Sequence, residues 1–450
     1  MNRGPQLRGP GAAGACLAAA LAVVLWAAPP ATAAERPISQ VVADAIRANP
    51  EIRRDQALLR AADKQVDVRF SGFLPKVDLE SAGGYEYSND PSTRSRVQKE
   101  PQDDSGRHLL RTDNSITVRQ LVFDGFGTSS RELAAEAERR SAERRVAETA
   151  ERIANRACEI YLDVLRTAEI VQLAQANRDY HIEIRDKVAA RVNQGVSEGL
   201  DLEQVNARLA LSNAGLARRL GEMRVARGRF AEFIGEEAKD LVRPSELILA
   251  APPTLDAAIE EALRRNPAVF VTAYRVDAAR ADIEAARSAF YPRLDFEVQG
   301  NTGDNLDGVL GRESSVTVLL KLRYNLFNGF FDDATVERRS AQAAAAGNQD
   351  GETRRQLRED TSVFYRNLQT VQERLVPQRD HVASSKRTLD DYVGQFELGK
   401  RKLLDVLDAQ IESFEARVSL TDSEYLLLLA QYRLAFAMGQ LRAVLGLAGD

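Results

Sequence analysis

The sequence predicts a mostly α-helical fold with a small β portion, built as a tandem duplication. Three observations support this prediction: the same motifs occur twice in the same order, short segments alternate apolar and polar residues, and residues 128–192 contain neither proline nor glycine. The chain has 450 residues, of which 44% are hydrophobic and 28% are charged. This composition excludes a disordered polymer and a helical protein with many membrane spans.

Residues 1–34 are predicted to be a secretory signal peptide. Two arginines precede an apolar run over residues 12–28, and small residues offer a cleavage site after Ala33 or Ala34. The short, alanine-rich run disfavours the alternative of an uncleaved membrane anchor. A lipoprotein anchored through Cys16 is a second alternative, which is disfavoured because most of the apolar run follows this cysteine.

Charge and residue counts exclude several classes of protein. A formal net charge of -5 gives no dominant positive field, so nucleic acid is not an expected partner. Two cysteines and three histidines argue against a metal site or a disulfide framework. Cys158 is interpreted as a small core residue, with an intermolecular disulfide as the alternative. No long apolar stretch follows Ala34, so attachment to a membrane would require β-strands or the protein surface.

An internal duplication organises the rest of the chain. In the first part of the repeat, matching residues of the two halves are separated by one constant number of positions along the chain. In the rest of the repeat they are separated by a second, smaller constant number. The matching segments are Asn49-Pro50 with Asn266-Pro267, residues 73–78 with 290–295, residues 123–126 with 327–330, Gly195 with Gly399, and Asp201 with Asp405. The offset changes within residues 84–112, a polar stretch in which the first repeat is expected to have a longer loop.

Each repeat is predicted to contain a short helix, two strands and a long helical hairpin. The first repeat covers residues 35–235 and the second covers residues 255–450, with a proline-containing linker at 236–254. Alternation of apolar and polar residues predicts the strands at about 75–88, 113–122, 292–301 and 314–325. Strand patterning alone leaves open an ordinary hairpin packed on a soluble core.

The helical segments are too long for a compact globular domain. At 1.5 Å per residue, a helix over residues 128–192 would be about 100 Å long. The last helix carries a heptad pattern of apolar residues from Leu407 to Ala435. A shorter helix is expected to begin with Ser39 as its N-cap and to end at about Phe70.

Glycine-containing segments interrupt both long helices, at residues 195–199 and 399–401, and are interpreted as the tight turns of helical hairpins. Asp405 and Asp408 follow the second turn and, being three residues apart, share one helix face. Asp201 is the equivalent of Asp405 in the first repeat. The alternative is that these carboxylates only stabilise helix N-termini through the helix dipole.

Motifs of known chemistry are missing from the sequence. It contains no HExxH, P-loop or nucleophile-elbow motif. Gly125-Phe126-Gly127 lacks the third glycine of a dinucleotide-binding loop. The sequence therefore predicts no catalytic residue, no metal site and no cofactor.

These motifs resemble those of the TolC-like outer-membrane channel family. The resemblance rests on the repeated Asn-Pro, on the proline before each first strand, on Phe-Asp-Gly at 123–125 and on the segment 399–408. It extends over essentially the whole mature chain. It implies a homotrimer surrounded by outer-membrane lipid, in which each protomer gives four strands to a shared twelve-stranded β-barrel and long helices to an α-helical barrel in the periplasm.

The resemblance also implies a gate at the periplasmic entrance. Asp405 and Asp408 match paired aspartates that form an acidic ring, which would select cations. Arg401 and Asp201 match residues that link neighbouring helical hairpins and hold the entrance shut. Phe396 stands where a tyrosine is often found, so this link would lack the tyrosine hydroxyl group.

As a channel of this family, the protein would be a passive exit duct without a cofactor. A periplasmic adaptor protein would dock at the hairpin turns, around Gly195, Gly199, Gly399 and Lys400, and an inner-membrane transporter of the ABC type would drive export. Residues 120–125 favour the type I protein-secretion branch, and the alternative is the outer-membrane component of a small-molecule or drug efflux pump. A periplasmic coiled-coil adaptor or structural protein is an alternative of another class.

Overall fold

The computed structural model describes residues 35–89, 107–245 and 252–447. The predicted signal peptide, most of the predicted loop at 84–112 and part of the predicted linker lie outside the described residues. All helices and strands given below belong to one unit that begins at Arg36.

The two repeats fold into the same order of elements. In the first repeat, helices α1 (Ile38–Ala48) and α2 (Pro50–Phe70) precede strands β1 (Lys76–Ser88) and β2 (Arg107–Phe123) and helices α3 (Gly127–Asn193) and α4 (Gly199–Ile234). In the second, α5 (Leu255–Arg265) and α6 (Pro267–Arg287) precede β3 (Arg293–Asp304) and β4 (Arg312–Arg323) and helices α7 (Phe331–Glu397) and α8 (Leu403–Ala437). A short helix, α9 (Leu441–Val444), follows α8.

The first helical segment is divided into two helices, so the prediction of one continuous helix from Ser39 is wrong. The break falls at Asn49, whose φ of -68° and ψ of 127° are extended rather than helical. Pro50 explains the break, because proline lacks an N–H donor and disfavours helical geometry in the preceding residue. The Asn49 side chain caps α2 by accepting a hydrogen bond from the backbone N–H of Glu51 at 2.8 Å. Ser39 is not an N-cap, since α1 already begins at Ile38.

The four strands form one antiparallel sheet in the order β1-β2-β3-β4. Strands β2 and β3 come from different repeats and pair directly, with Thr117 opposite Gln299. Strand β2 begins at Arg107, earlier than its predicted start. The apolar face of the sheet is exposed, with Leu79 at 71% and Val316 at 78%. A hairpin packed on a soluble core would bury this face, so that alternative is wrong.

A sharp turn joins the second strand of each repeat to a long helix and explains the repeated Phe-Asp/Asn-Gly-Phe motif. Gly125 and Phe126 have φ angles of 65° and 67°, and Gly329 and Phe330 have φ angles of 69° and 63°. This left-handed region costs a residue with a side chain about 1–2 kcal/mol. The first turn is also crowded, because a Cβ added at Gly125 would lie 2.5 Å from Cβ of Tyr291. A Cβ added at Gly329 would meet no described heavy atom within 4 Å.

The long helices pair into two antiparallel hairpins, α3 with α4 and α7 with α8. Helices α3 and α7 contain 67 residues each, which makes them about 100 Å long at 1.5 Å per residue. Helix α3 therefore has the extent expected for residues 128–192, with one further residue at each end. Helix α7 is continuous in spite of Pro377 in its interior.

Helix α3 buries several titratable side chains, among them Cys158 and Glu151. Cys158 is 0% exposed and belongs to an apolar cluster with Tyr161 and Tyr432, and burial raises the pKa of its thiol. This position agrees with a core role and argues against a disulfide with another chain. Glu151 is 7% exposed, and its carboxylate accepts a hydrogen bond from the backbone N–H of Arg442 at 3.3 Å. Burial raises the pKa of Glu151 to about 7.

Candidate functional site

The two helical hairpins end in turns of the same construction. Gly195 and Gly399 have φ angles of 73° and 70°. The backbone N–H of Gly195 donates to the carbonyl of Val192 at 3.0 Å, and that of Gly399 donates to the carbonyl of Phe396 at 2.9 Å. Glycine suits the left-handed position that ends a helix. The predicted docking residues at these turns are all exposed: Gly195, Gly199, Gly399 and Lys400.

The two turns lie side by side because the hairpins contact each other near their ends. Nζ of Lys187 is 3.7 Å from a carboxylate oxygen of Glu397. Nη1 of Arg191 donates a hydrogen bond to the backbone carbonyl of Phe396 at 3.4 Å, and the same guanidinium lies 4.9 Å from the centroid of the Phe396 ring. The predicted gate residue Phe396 therefore binds the other hairpin through its ring and its carbonyl group.

The predicted acidic pair lies in the first turns of α8. Leu403 and Leu407 are 3% and 0% exposed, because they pack against Ile184 and neighbouring apolar residues of α3. The side chains of Asp405 and Asp408 are left on a more open face, at 41% and 58% exposure. Two carboxylates three residues apart on this face present their charge to solvent together.

Arg401 is held inside its own hairpin. Its Nε donates to Oε1 of Gln395 at 3.2 Å, and its Nη1 lies 3.5 Å from Oδ2 of Asp405. Its guanidinium also stacks on Tyr392, with 3.9 Å between Cζ and the ring centroid. The structure thus brings Arg401 to one member of the acidic pair, by a contact within the α7–α8 hairpin.

Arg208 connects the other member of the acidic pair to the first hairpin. Its Nη2 is 2.8 Å from Oδ1 of Asp408, so this ion pair joins α4 to α8. The predicted link residue Asp201 lies two helical turns away on α4 and is half-buried. Its side chain makes no hydrogen bond or ion pair within the part of the chain that the structure describes. Within one protomer, Arg208 rather than Asp201 ties the hairpins together.

Comparison with known proteins decides the family. Residues 41–236 and 258–440 match the family described as outer membrane efflux protein. The chain belongs to this family. It is 22% identical over 402 residues to the outer membrane efflux protein BepC of Brucella suis, a match that covers 89% of this chain and 84% of BepC.

Two further comparisons extend over nearly the same region. The chain is 22% identical over 422 residues to the outer membrane protein TolC of Escherichia coli, which covers 90% of this chain and 82% of TolC. The crystal structure of VceC from Vibrio cholerae superposes with a TM-score of 0.74 at 16% identity, covering 90% of this chain and 96% of VceC. The fold is that of the outer membrane efflux channels.

Membership of the outer membrane efflux family confirms several predictions. The fold class is confirmed: the protein is mostly helical, with a four-stranded β portion like that of TolC-like channels. The protein is located in the outer membrane and extends into the periplasm. As a member of a channel family it is not an enzyme.

Buried polar side chains of α3 and α8 in this efflux-family protein lie beside Arg208, the partner of Asp408. Nε2 of Gln410 donates to Oδ1 of Asn177 at 2.9 Å, and His181 is 2% exposed. Asn177 and His181 line a cavity of about 430 Å³ together with Arg208. Burial, and secondly the charge of Arg208, lower the pKa of His181. Both effects favour the uncharged form of the His181 ring.

Sequence reasoning missed several residues that join the hairpins, among them Lys187, Arg191 and Arg208. The signal available for Arg208 was its heptad spacing from Asp201 on α4, which places both on one helix face. Within residues 35–89, 107–245 and 252–447, no group of acidic, histidine or cysteine side chains is arranged to hold a metal ion. No helix in those same ranges is both long and apolar enough to cross a membrane.

Proposed function

We propose that the protein works as a homotrimer and forms the passive outer-membrane exit duct of a tripartite export system. The observation that carries this proposal is the four-stranded sheet, whose apolar face is exposed and whose edge strands β1 and β4 have no partner strand among the described residues. Exposed strand edges invite pairing with another chain. Pairing β4 of one copy with β1 of the next closes a barrel, which removes every edge and turns the apolar face toward lipid.

Outer-membrane fractionation and electrical recording test this proposal. The protein should stay with the outer membrane after a high-salt wash, and the purified protein should conduct ions when it is added to a planar lipid bilayer. A protein released by the wash, or one without conductance, would contradict the proposed channel. Family membership already disfavours the alternative of a periplasmic coiled-coil adaptor or structural protein.

We also propose that Asp405 and Asp408 form an acidic ring at the periplasmic entrance. Both side chains are open to solvent at the end of the hairpin, and each copy in a trimer would add two carboxylates to one constriction, where they attract cations. Asp405→Asn with Asp408→Asn should lower the preference for potassium over chloride. The matched control is Asp277→Asn, which removes an exposed carboxylate from α6. Equal permeability ratios in both variants would contradict the ring.

We propose further that contacts between hairpins hold this entrance shut, and that Arg401 and Asp201 take part across protomer boundaries. Asp201 is half-buried without a side-chain partner in the described residues, so it can receive a cation from a neighbouring copy. Arg401→Ser should raise the conductance at fixed salt. The control is Lys400→Ser, which removes the adjacent, exposed charge. A wild-type conductance in Arg401→Ser would show that this residue does not close the entrance.

For the partners, we propose a periplasmic adaptor that docks at the exposed turns containing Gly195, Gly199, Gly399 and Lys400, and an inner-membrane transporter of the ABC type. Lys400→Glu should reduce co-purification of the adaptor. The motif at 120–125 supports type I protein secretion as the branch. A deletion strain should then lose a secreted protein and keep its drug susceptibility. The reverse result would support the alternative, a small-molecule or drug efflux pump.

A further inference from the structure

The polar face of the sheet carries a concentration of basic residues at the end next to the helices. Side chains alternate between the two faces along each strand, so this face lies opposite the exposed apolar residues such as Leu79 and Val316. We name the basic residues of this end the basic collar. The basic collar consists of Lys76, Arg119, Arg293, Lys321 and Arg323.

Two carboxylates on the same face neutralise only part of the basic collar. Asp295 is 2% exposed and accepts hydrogen bonds from Arg293 at 2.8 and 3.0 Å. Glu297 is 4% exposed and pairs with Arg119 at 3.2 Å and with Lys321. Both carboxylates are therefore already occupied by cations of neighbouring positions. The basic collar keeps a net positive charge.

Lys76 and Arg323 carry most of the positive charge that is not neutralised, because Glu297 is shared between Arg119 and Lys321. Both side chains are exposed, and neither forms an ion pair with any residue in the described ranges. The strand register places Lys76 directly opposite Arg119 and Arg323 directly opposite Arg293. Like charges in directly opposed positions destabilise a sheet. Sheet stability therefore does not explain why both pairs are basic.

The basic collar is confined to one end of the sheet. The next two residues of β1 on the same face are Asp78 and Glu80, both exposed, so the sign of the charge reverses along the strand. At the helical end the basic surface continues into a cavity of about 450 Å³, which is lined by Asp124, Arg131, Arg293 and Arg323 among others. Asp124 pairs with Arg131 at 3.3 Å, so the guanidinium group of Arg323 is the one in this cavity that forms no ion pair with a described residue and leaves room for a small anion beside it.

We propose that the basic collar is an anion-selecting filter in the lumen of the β-barrel, in series with the acidic ring at the periplasmic entrance. This inference rests on the proposed channel, since closure of the barrel is what turns the polar face into the wall of a passage. The collar extends over about four residues of strand, or about 13 Å. The Debye length is about 10 Å at 0.1 M salt, so its charges act together on one passing ion.

Reversal potentials of the full-length purified protein in planar lipid bilayers, under a KCl gradient, test the basic collar. The acidic ring is first neutralised by Asp405→Asn with Asp408→Asn, so that the collar dominates the charge of the passage. In this parent protein, adding Lys76→Gln and Arg323→Gln should lower the chloride-to-potassium permeability ratio at least about twofold. The matched control, Lys76→Arg with Arg323→Lys, keeps both charges and should leave the ratio unchanged.

Two further recordings complete the test, one at high salt concentration and one of a variant with a single substitution. At 1 M KCl, where the Debye length is about 3 Å, the difference between the glutamine variant and its parent should disappear. If the double glutamine variant does not assemble, Arg323→Gln alone should give a smaller decrease in the same direction. A conducting variant with an unchanged ratio at low salt overturns the basic collar and leaves the channel intact. Absence of conductance in the unsubstituted protein, recorded first, overturns the proposed channel, and the collar with it.

Discussion

Replacement of Arg208 by alanine is expected to favour the open form of the proposed periplasmic entrance. The Arg208–Asp408 ion pair joins α4 to α8 at 2.8 Å, with side chains that are 31% and 58% exposed. An ion pair with this exposure contributes about 0.2–1 kcal/mol, because water and salt screen it. If three copies open together, the loss adds up to about 0.6–3 kcal/mol. The open population should then rise about threefold to about a hundredfold, since 1.4 kcal/mol corresponds to a factor of ten.

Single-channel recording at 0.1 M KCl measures this effect as the fraction of time spent at the higher conductance. The matched control is Arg219→Ala, which removes the same charge from the same helix, where Arg219 pairs with Glu222 at 2.9 Å within α4. Exchange of the partners, Arg208→Asp with Asp408→Arg, should restore the closed state. If Arg208→Ala behaves like the parent and like Arg219→Ala, the inter-hairpin pair does not hold the entrance closed.

Three other changes have defined outcomes. Gly125→Ala should lower the thermal midpoint more than Gly329→Ala, because only the first added Cβ meets another residue at 2.5 Å; equal midpoints would refute the crowded turn. Cys158, 0% exposed, should react with a maleimide only after unfolding, unlike a cysteine placed at Leu200, which is 63% exposed; rapid labelling would contradict its burial. Burial raises the pKa of Glu151 from 4.5 to about 7. Stability from the protonated carboxyl is therefore complete below pH 4.5 and lost as the pH rises to about 7. Glu151→Gln lacks this titration, so its stability relative to the parent should rise by about 3 kcal/mol between pH 4.5 and a pH above 7, as measured by denaturation across pH; a constant difference would contradict the shift.

The helical elements could be predicted closely because their signals are local. A stretch without proline or glycine and a terminal glycine were enough to place α3 and the turn at Gly195. The break at Asn49 also has a local signal, since Pro50 disfavours helical geometry in the residue before it. The early start of β2 is different, because Arg107 is held in the strand by pairing with Ser88 of β1. Such pairing is a feature of the tertiary structure and not of the local sequence.

The candidate site was predicted only in part, for a related reason. The helical period places Asp405 and Asp408 on one face from sequence alone. Arg208 is 200 positions away from its partner Asp408, and the two meet only because particular faces of two hairpins pack together. Strand alternation likewise predicts one polar face of the sheet, but the register that opposes Lys76 to Arg119 comes from the folded structure.

The proposed channel requires that several copies of the chain close one barrel. The most direct test is the mass of the protein after it is extracted from outer membranes in detergent without heating. Light scattering corrected for bound detergent gives this mass. We expect a value near three chains, because one protomer supplies only a four-stranded sheet and a closed barrel is the arrangement that leaves no strand edge in the membrane. A monomer or dimer that is stable at moderate concentration would leave the strands unclosed and would contradict the channel.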